Sequence, residues 1–401
     1  MATAQPCPRM RDIDSLVPFG GGAPWARRPS VRRGMAGVLL VSLGLGLSAA
    51  SLLAAPPAKP VSDLTIRTEP VHAMVPAGGK CEFRVILQDR EGKPLAGELS
   101  VRLDPKTSTA PPSTLKLDGG SGSYCFQAAA GMEPGVHIVS FQGPQRSALN
   151  LFVDVVDQAT YDQFGQLAQK VRFERLPAHL LFIGDSLSDQ LRGQNYVDKV
   201  AFWLGGRFGR QFGVRNAGVG GDYITRVWDR LNHEPKINRP EMYEQLYTPR
   251  PTHVFFFLGH NDSKLKSESN YTQAVVLPDA FEATYRQTLQ KVKQETQARL
   301  VVLSATSSVY EITKATADKR REAGKAHNLF GKPEALEQFN TLARKVAQEC
   351  GADYVDVYEP TRRHVEKPSL FTADGVHLSN LGNRLIAWEV LKYLAGQGAP
   401  R

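Results

Sequence analysis

Basic residues do not cluster with aromatic residues anywhere in this 401-residue chain, although its formal net charge is +9. Much of the positive excess comes from residues 1–55, which contain six arginines and two aspartates. The rest of the chain is only mildly basic and lacks the pattern of a nucleic-acid-binding surface. We therefore expect no nucleic-acid partner.

Metal-binding motifs are also missing from the sequence. The nine histidines are scattered, with no HExxH motif and no paired spacing. The glycine-rich turn at residues 218–221 does not have the spacing of a phosphate-binding P-loop. We therefore expect neither a metal nor another cofactor.

Cysteine is scarce, with only Cys7, Cys81, Cys125 and Cys350 in the chain. Cys81 and Cys125 fall in the same stretch of short predicted strands. In an oxidising compartment these two could form a disulfide. Two separate buried thiols are the other interpretation, and the sequence leaves both open.

One long uncharged apolar run, residues 37–55, follows the arginine-rich stretch WARRPSVRR and precedes PPAKP. This order is typical of a secretory signal, and the run is also long enough to span a bilayer. Its small residues and glycines favour cleavage over a retained anchor. We expect residues 1–58 to be a leader or membrane anchor and the protein to be exported, with membrane contact only through this segment if it is uncleaved.

Residues 59–156 resemble an all-β domain. About seven short apolar stretches, such as CEFRVILQ and VHIVSFQ, are separated by turn sequences such as DREGKP and DGGSG. This spacing predicts a small immunoglobulin-like sandwich. It contains no catalytic constellation, so we expect it to be a spacer, a binding module or a packing partner.

Residues 157–401 have the sequence pattern of an α/β domain. Short apolar strands, among them HLLFI, HVFFFLG and ARLVVLSA, alternate with amphipathic helices. This alternation predicts a parallel sheet covered by helices on both faces. Active sites in such sheets lie beyond the carboxyl ends of the strands. Residues 310–332 form a charged insertion near those ends, either a lid or a solvated helix.

Ser186 follows the first of these strands directly, in the sequence GDSLS. Taken alone, such a serine is more often a helix N-cap than a nucleophile. A serine nucleophile needs a base to take its proton, and His377 near the chain end can be that base. Asp374, three residues earlier, can orient the imidazole. The surrounding residues do not form the Gly-x-Ser-x-Gly elbow of α/β-hydrolases.

Two further strand ends supply hydrogen-bond donors for an oxyanion. Gly221 lies in NAGVGGD after the second strand, and its N–H is not shielded by a side chain. Asn261 lies in GHND after the third strand and adds a neutral amide donor. Each signal is weak singly, but all of them fall where one site would be assembled. Asp185 and Asp262 are expected to hold the neighbouring turns.

The four motifs GDSLS, NAGVGGD, GHND and DGVH resemble, in order and spacing, the sequence blocks of the SGNH hydrolases, also called GDSL esterases and lipases. The resemblance covers about residues 175–395. It implies a three-layer α/β/α, flavodoxin-like fold. It also implies that Ser186 is the nucleophile, that His377 is the base oriented by Asp374, and that Gly221, Asn261 and the Ser186 N–H form the oxyanion hole.

The expected function is that of an exported serine ester hydrolase with an acyl-enzyme intermediate, acting on a small-molecule or polysaccharide ester. A carbohydrate acetylesterase is the leading hypothesis, and GHND resembles the corresponding block of such enzymes. GDSLS instead resembles the thioesterase and lysophospholipase branch, so a lipase, lysophospholipase or thioesterase is the alternative. A non-catalytic carbohydrate-binding envelope protein is an alternative of another class. The sequence leaves the oligomeric state open.

Overall fold

The structure is a computed structural model that describes residues 63–189 and 194–396. The predicted leader, residues 1–58, lies outside the described residues. Within the described part, no helix is both long and apolar enough to cross a membrane. The strands are β1 Thr65–Glu69, β2 Ala73–Pro76, β3 Lys80–Gln88, β4 Gly97–Leu103, β5 Ser113–Leu117, β6 Ser121–Gln127, β7 Gly135–Gln142, β8 Ala148–Val156, β9 Ala178–Gly184, β10 Phe212–Asn216, β11 His253–Phe257, β12 Arg299–Leu303 and β13 Asp353–Val355. The α-helices are α1 Gln158–Lys170, α2 Tyr196–Phe208, α3 Ile224–Leu231, α4 His260–Ser263, α5 Pro278–Thr296, α6 Tyr310–Glu322, α7 Pro333–Glu349, α8 Tyr358–Arg362 and α9 Asn380–Leu394.

The first eight strands form two sheets that share one hydrophobic core. One sheet has the order β1-β3-β6 and the other β2-β8-β7-β4-β5, with all neighbours antiparallel except β2 and β8. Phe83 and Phe126 of the first sheet pack in the same cluster as Phe141 and Val153 of the second. An all-β region therefore precedes the α/β region, while its immunoglobulin-like classification stays a prediction.

The strands β3 and β6 decide between the two interpretations of the cysteines. Cys81 lies opposite Phe126 in the ladder, and Cys125 lies opposite Glu82. Because adjacent residues of a strand point to opposite faces, Cys81 faces the core and Cys125 faces solvent. A disulfide between them is therefore ruled out, and the expectation of two buried thiols holds for Cys81 alone.

The remaining strands form one parallel sheet in the order β10-β9-β11-β12-β13. Numbered within the α/β region, this is the 2-1-3-4-5 order of flavodoxin-like folds. Successive side chains of each strand point to opposite faces of the sheet, and each face has its own core. Leu180 and Phe182 of β9 pack with α1, α2 and α9. Leu181 and Ile183 of the same strand pack with α3, α5 and α7. The predicted three-layer α/β/α arrangement is confirmed.

Helix α2 was not predicted from the sequence, although its signals are present. Asn195 caps it by accepting from the N–H groups of Val197 and Asp198. Its buried residues, Val197, Val200 and Leu204, recur at helical spacing. The charged insertion contains helix α6, and Leu329 near its end pairs with Leu265, which follows α4.

A buried ionic cluster joins the all-β region to the α/β region. Asp154 of β8 accepts from Lys199 Nζ of α2 at 3.0 Å, from Asn380 Nδ2 at 2.7 Å, and from Arg384 Nε and Nη2 of α9 at 2.9 Å each. The side chains of Asp154 and Lys199 are fully buried. Although burial opposes it, the charges of Lys199 and Arg384 keep the pKa of Asp154 below its usual value.

Asp154→Asn should destabilise the whole chain, because it leaves Lys199 and Arg384 buried without a counter-ion. The expected loss is about 3–5 kcal/mol in the free energy of unfolding, the cost typical of breaking a buried pair. Denaturant unfolding measures it. Asp162→Asn, at an exposed position of α1, is the matched control, where a change within about 0.5 kcal/mol is expected. Equal unfolding midpoints for the two variants would contradict the cluster's structural role.

Candidate active site

Ser186 lies in a tight turn at the carboxyl end of β9. Gly184 ends the strand where only a glycine fits, since a Cβ there would lie 2.5 Å from Ser188 Oγ. Asp185 provides the capping interactions of the turn: its Oδ1 accepts from Leu187 N–H at 2.9 Å, and its carbonyl accepts from Ser188 and Asp189 N–H at 3.0 Å each. The Ser186 hydroxyl is therefore not needed as a cap and points to another partner.

That partner is His377. The Ser186 Oγ lies 2.9 Å from His377 Nε2, and His377 Nδ1 lies 2.5 Å from Asp374 Oδ2. The other Asp374 oxygen accepts from the N–H groups of Val376 and His377 at 2.9 Å each. Burial opposes the effect, but these hydrogen bonds hold the pKa of Asp374 well below its usual value. The carboxylate thus stays ionised and orients the imidazole toward the serine.

Asn261 lies close to the serine turn. It is the second residue of the short helix α4 after β11, and its Nδ2 donates to Asp185 Oδ2 at 3.2 Å. An amide nitrogen carries two hydrogens, and the second has no hydrogen-bond partner among the described residues. The Ser186 backbone N–H is likewise without a partner in the described part of the chain. Both are available to a ligand oxygen.

Gly221 has the third available donor. Of the three glycines in its turn, Gly218 donates to Asn216 Oδ1 at 3.0 Å and Gly220 to Asp189 Oδ2 at 2.8 Å. The Gly221 N–H makes no hydrogen bond to any residue that the structure describes. A Cβ at this position would have nothing within 4 Å, so crowding does not require a glycine. The backbone φ of +83° does, because side-chain-bearing residues rarely adopt it.

Two ion pairs hold this glycine turn in place. Asp222, next to Gly221, receives both Nε and Nη2 of buried Arg230, at 2.5 and 3.0 Å. Arg239 Nη1 donates to Asp189 Oδ2 at 2.7 Å, the same oxygen that accepts Gly220 N–H. A Cβ on Gly220 would lie 3.9 Å from the Ser186 Cβ, so the turn borders the nucleophile directly.

Asp262 joins the loop after β11 to the loop after β10 beneath the site. Its two oxygens accept from Ile224 N–H at 2.8 Å and Gly259 N–H at 3.1 Å. Burial raises the pKa of Asp262 to about 7 and that of Asp185 to about 6. The expectation that these two aspartates hold turns agrees with these contacts.

The structure thus brings Ser186, His377, Asp374, Asn261 and Gly221 to one edge of the sheet. Sequence reasoning missed three neighbours of the site: Asp189, Arg239 and Lys264. Lys264 follows Asn261 by one helical turn, a spacing that could have identified it. Nothing in the sequence links Arg239 to Asp189, which lies 50 residues earlier. Among the described residues, no group of three or more His, Cys, Asp or Glu side chains could hold a metal ion.

Comparisons with known proteins point to esterases. Residues 182–385 match the GDSL-like lipase/acylhydrolase family. The isoamyl acetate-hydrolyzing esterase 1 homolog of Mus musculus is 28% identical over 213 residues, covering 52% of this chain and 78% of the mouse protein. The Rattus norvegicus homolog is 29% identical over 184 residues, covering 46% and 69%.

Solved structures of two bacterial enzymes are also similar. A lipase/acylhydrolase from Enterococcus faecalis has 16% sequence identity and a TM-score of 0.39, covering 56% of this chain and 98% of that chain. A variant of an acetyl xylan esterase from Geobacillus stearothermophilus has 20% identity and a TM-score of 0.39, covering 58% and 99%.

Asn261→Ala should lower kcat for ester hydrolysis by about 10²–10³, with KM nearly unchanged, because an oxyanion donor acts mainly in the transition state. Steady-state kinetics measures this. Asn150→Ala, at an exposed position of β8 in the all-β region, is the matched control and should behave as wild type. A change confined to KM would instead make Asn261 a residue that positions the substrate.

Proposed function

Since this chain belongs to the GDSL-like lipase/acylhydrolase family and is a carboxylic ester hydrolase, we propose that it forms an acyl-enzyme intermediate on Ser186. The observation that carries this proposal is the continuous line of contacts from Ser186 Oγ through His377 to Asp374. A serine hydroxyl becomes an effective nucleophile when a base accepts its proton, and His377 Nε2 is at hydrogen-bond distance.

In the first step, Ser186 Oγ attacks the ester carbonyl carbon while its proton moves to His377 Nε2. The carbonyl oxygen becomes an oxyanion, which accepts from the Ser186 and Gly221 N–H groups and from Asn261 Nδ2. Collapse of this intermediate breaks the ester bond, and His377 gives its proton to the leaving alcohol. The acyl group then remains on Ser186.

In the second step, water attacks the acyl-enzyme carbonyl and His377 accepts the water proton. The same three donors hold the second oxyanion. When this intermediate collapses, His377 returns the proton to Ser186 Oγ and the carboxylic acid leaves. Asp374 stays ionised throughout and stabilises the imidazolium formed in each step.

We propose that the acyl group is acetyl and that the alcohol is a carbohydrate. The mouse and rat relatives are named for the hydrolysis of isoamyl acetate, and this name supports a small acyl group. The carbohydrate part is inferred from the sequence, in which a predicted export signal and an all-β region precede the hydrolase region. A lipase, lysophospholipase or thioesterase activity remains the alternative within the family.

A carbohydrate-binding role for the all-β region has little support. Sugar-binding surfaces use exposed aromatic rings, but within the described residues none of the aromatic side chains of β1 to β8 is exposed. The groove of about 840 Å³ beside this region is lined by four aromatic residues. Phe83 of β3 is fully buried, and the other three, Tyr161, Phe202 and Trp203, come from α1 and α2. We propose that the all-β region supports the hydrolase through Asp154, and that the protein is exported.

The acyl preference is tested by comparing p-nitrophenyl acetate, butyrate and palmitate as substrates of the full chain, followed by acetylated xylo-oligosaccharides and isoamyl acetate. We expect kcat/KM to fall from acetate to palmitate and acetate to be released from the acetylated sugar. Ser186→Ala should abolish turnover of all of these, because no nucleophile remains.

Three results would change the proposal. Preferred cleavage of palmitate would move the function to a lipase or lysophospholipase. Turnover of isoamyl acetate without turnover of acetylated sugars would replace the carbohydrate by a small alcohol. Full activity of Ser186→Ala would refute the nucleophile assignment, and Ser188→Ala, which alters a neighbouring buried serine of the same turn, is its matched control for folding.

A further inference from the structure

The side-chain amide of Asn261 must have one orientation to serve an oxyanion. Its Nδ2 can donate to the substrate, whereas a flip of the amide by 180° would present the acceptor Oδ1 and repel the developing negative charge. Asp185 alone favours the productive orientation, because an ionised carboxylate only accepts hydrogen bonds. Its contact with Nδ2 is long, at 3.2 Å, and one buried carboxyl with a raised pKa is a weak constraint.

Lys264 contacts the opposite end of the same amide. Its Nζ donates to Asn261 Oδ1 at 3.1 Å. An ammonium group has three donors and no acceptor, so it can bond to Oδ1 but not to Nδ2. An acceptor-only group on one side and a donor-only group on the other therefore select a single orientation of the amide.

The ammonium of Lys264 is held in place by the last residues of the charged insertion 310–332. It lies over the Phe330 ring, 5.1 Å from the centroid, which is cation–π geometry. The neighbouring Leu265 and Leu329 exchange two backbone hydrogen bonds, of 2.8 and 2.9 Å. Lys264 is half-buried as a result, and this burial lowers the pKa of its ammonium group. A partly desolvated, fixed cation polarises the amide more strongly than a solvated one.

Building on the proposed function, we propose that Lys264 is a positioning residue of the oxyanion hole, which holds the Asn261 amide with its Nδ2 on the side of Asp185 and Ser186. The insertion that covers it thereby contributes to catalysis through Phe330, without touching the substrate.

Lys264→Met tests this in the full chain, because methionine keeps the apolar part of the side chain and removes the donor. We expect kcat for p-nitrophenyl acetate to fall about tenfold, less than the loss of the Asn261 donor itself, with KM within twofold of wild type. Lys264→Arg, which keeps a charged donor, should recover most of the loss. The control is Lys266→Met, since the Lys266 ammonium makes no hydrogen bond or ion pair with the described residues; it should have wild-type kcat.

A double-mutant cycle shows whether Lys264 acts through Asn261. In the Asn261→Ala background, Lys264→Met should change kcat by no more than about twofold, because the amide that it orients is gone. A tenfold loss in both backgrounds would mean that Lys264 acts by another route and would overturn the proposal. So would a kcat for Lys264→Met equal to that of Lys266→Met, or a loss that Lys264→Arg does not reduce.

The outcome for Ser186→Ala keeps this proposal distinct from the assignment of the nucleophile. If Ser186→Ala is inactive while Lys264→Met has wild-type kcat, only the Lys264 proposal fails. If Ser186→Ala is active, both fail together. Equal denaturant midpoints for Lys264→Met and wild type would exclude a loss of fold as the cause of lower activity.

Discussion

The parallel pairing of β9 with β10 and β11 is the constraint on which the active site depends. Parallel strands end at one edge of a sheet, so the loops that follow them meet there. The registers of Phe182 with Asn216, and of Gly184 with Phe257, place the three loop starts side by side. A hydrogen bond of 3.0 Å from Val219 N–H to the Gly184 carbonyl continues the pairing past the strands. The sheet therefore places the loops of the nucleophile and of two oxyanion donors next to one another, and the side-chain contacts of Asp189 and Asp262 then hold these loops in place.

The His377 loop is different, because within the described residues it does not directly follow a strand of the parallel sheet, and its backbone contact beyond β12 is a single hydrogen bond of 2.9 Å from Val309 N–H to the Gly375 carbonyl. It precedes α9, and its position depends on how that helix is packed. Asn380 and Arg384, in the first turns of α9, both donate to Asp154 in the all-β region. A shift of α9 would therefore separate a buried carboxylate from two of its partners, at a cost of several kcal/mol. The all-β region thus contributes to the placement of the catalytic base, although it contains no residue that contacts Ser186 or His377 in the described structure.

The sequence predicted those parts that rest on local pattern. Alternating strands and amphipathic helices predicted the three-layer fold, and short motifs at strand ends predicted the five site residues that the structure brings together. It did not predict groups whose partners are distant in the chain, such as Asp154 with Arg384 or Asp189 with Arg239, because charge spacing along a sequence does not encode a buried contact. The cysteines were left open for the same reason, since ladder register decides which face Cys125 occupies.

The two groups that contact the Asn261 amide explain why a donor-only side chain such as lysine is needed there. Asp185 is adjacent to Ser186 in the chain, and its ionised form would repel the negative charge that develops on the substrate carbonyl oxygen. Burial, which raises the pKa of Asp185 to about 6, reduces the ionised fraction but does not remove it at neutral pH. The ammonium of Lys264 lies on the far side of the Asn261 amide and donates to its Oδ1. Asn261 therefore lies between an acceptor that fixes its nitrogen and a cation that fixes its oxygen, so the donor it offers to the substrate is oriented before the reaction begins.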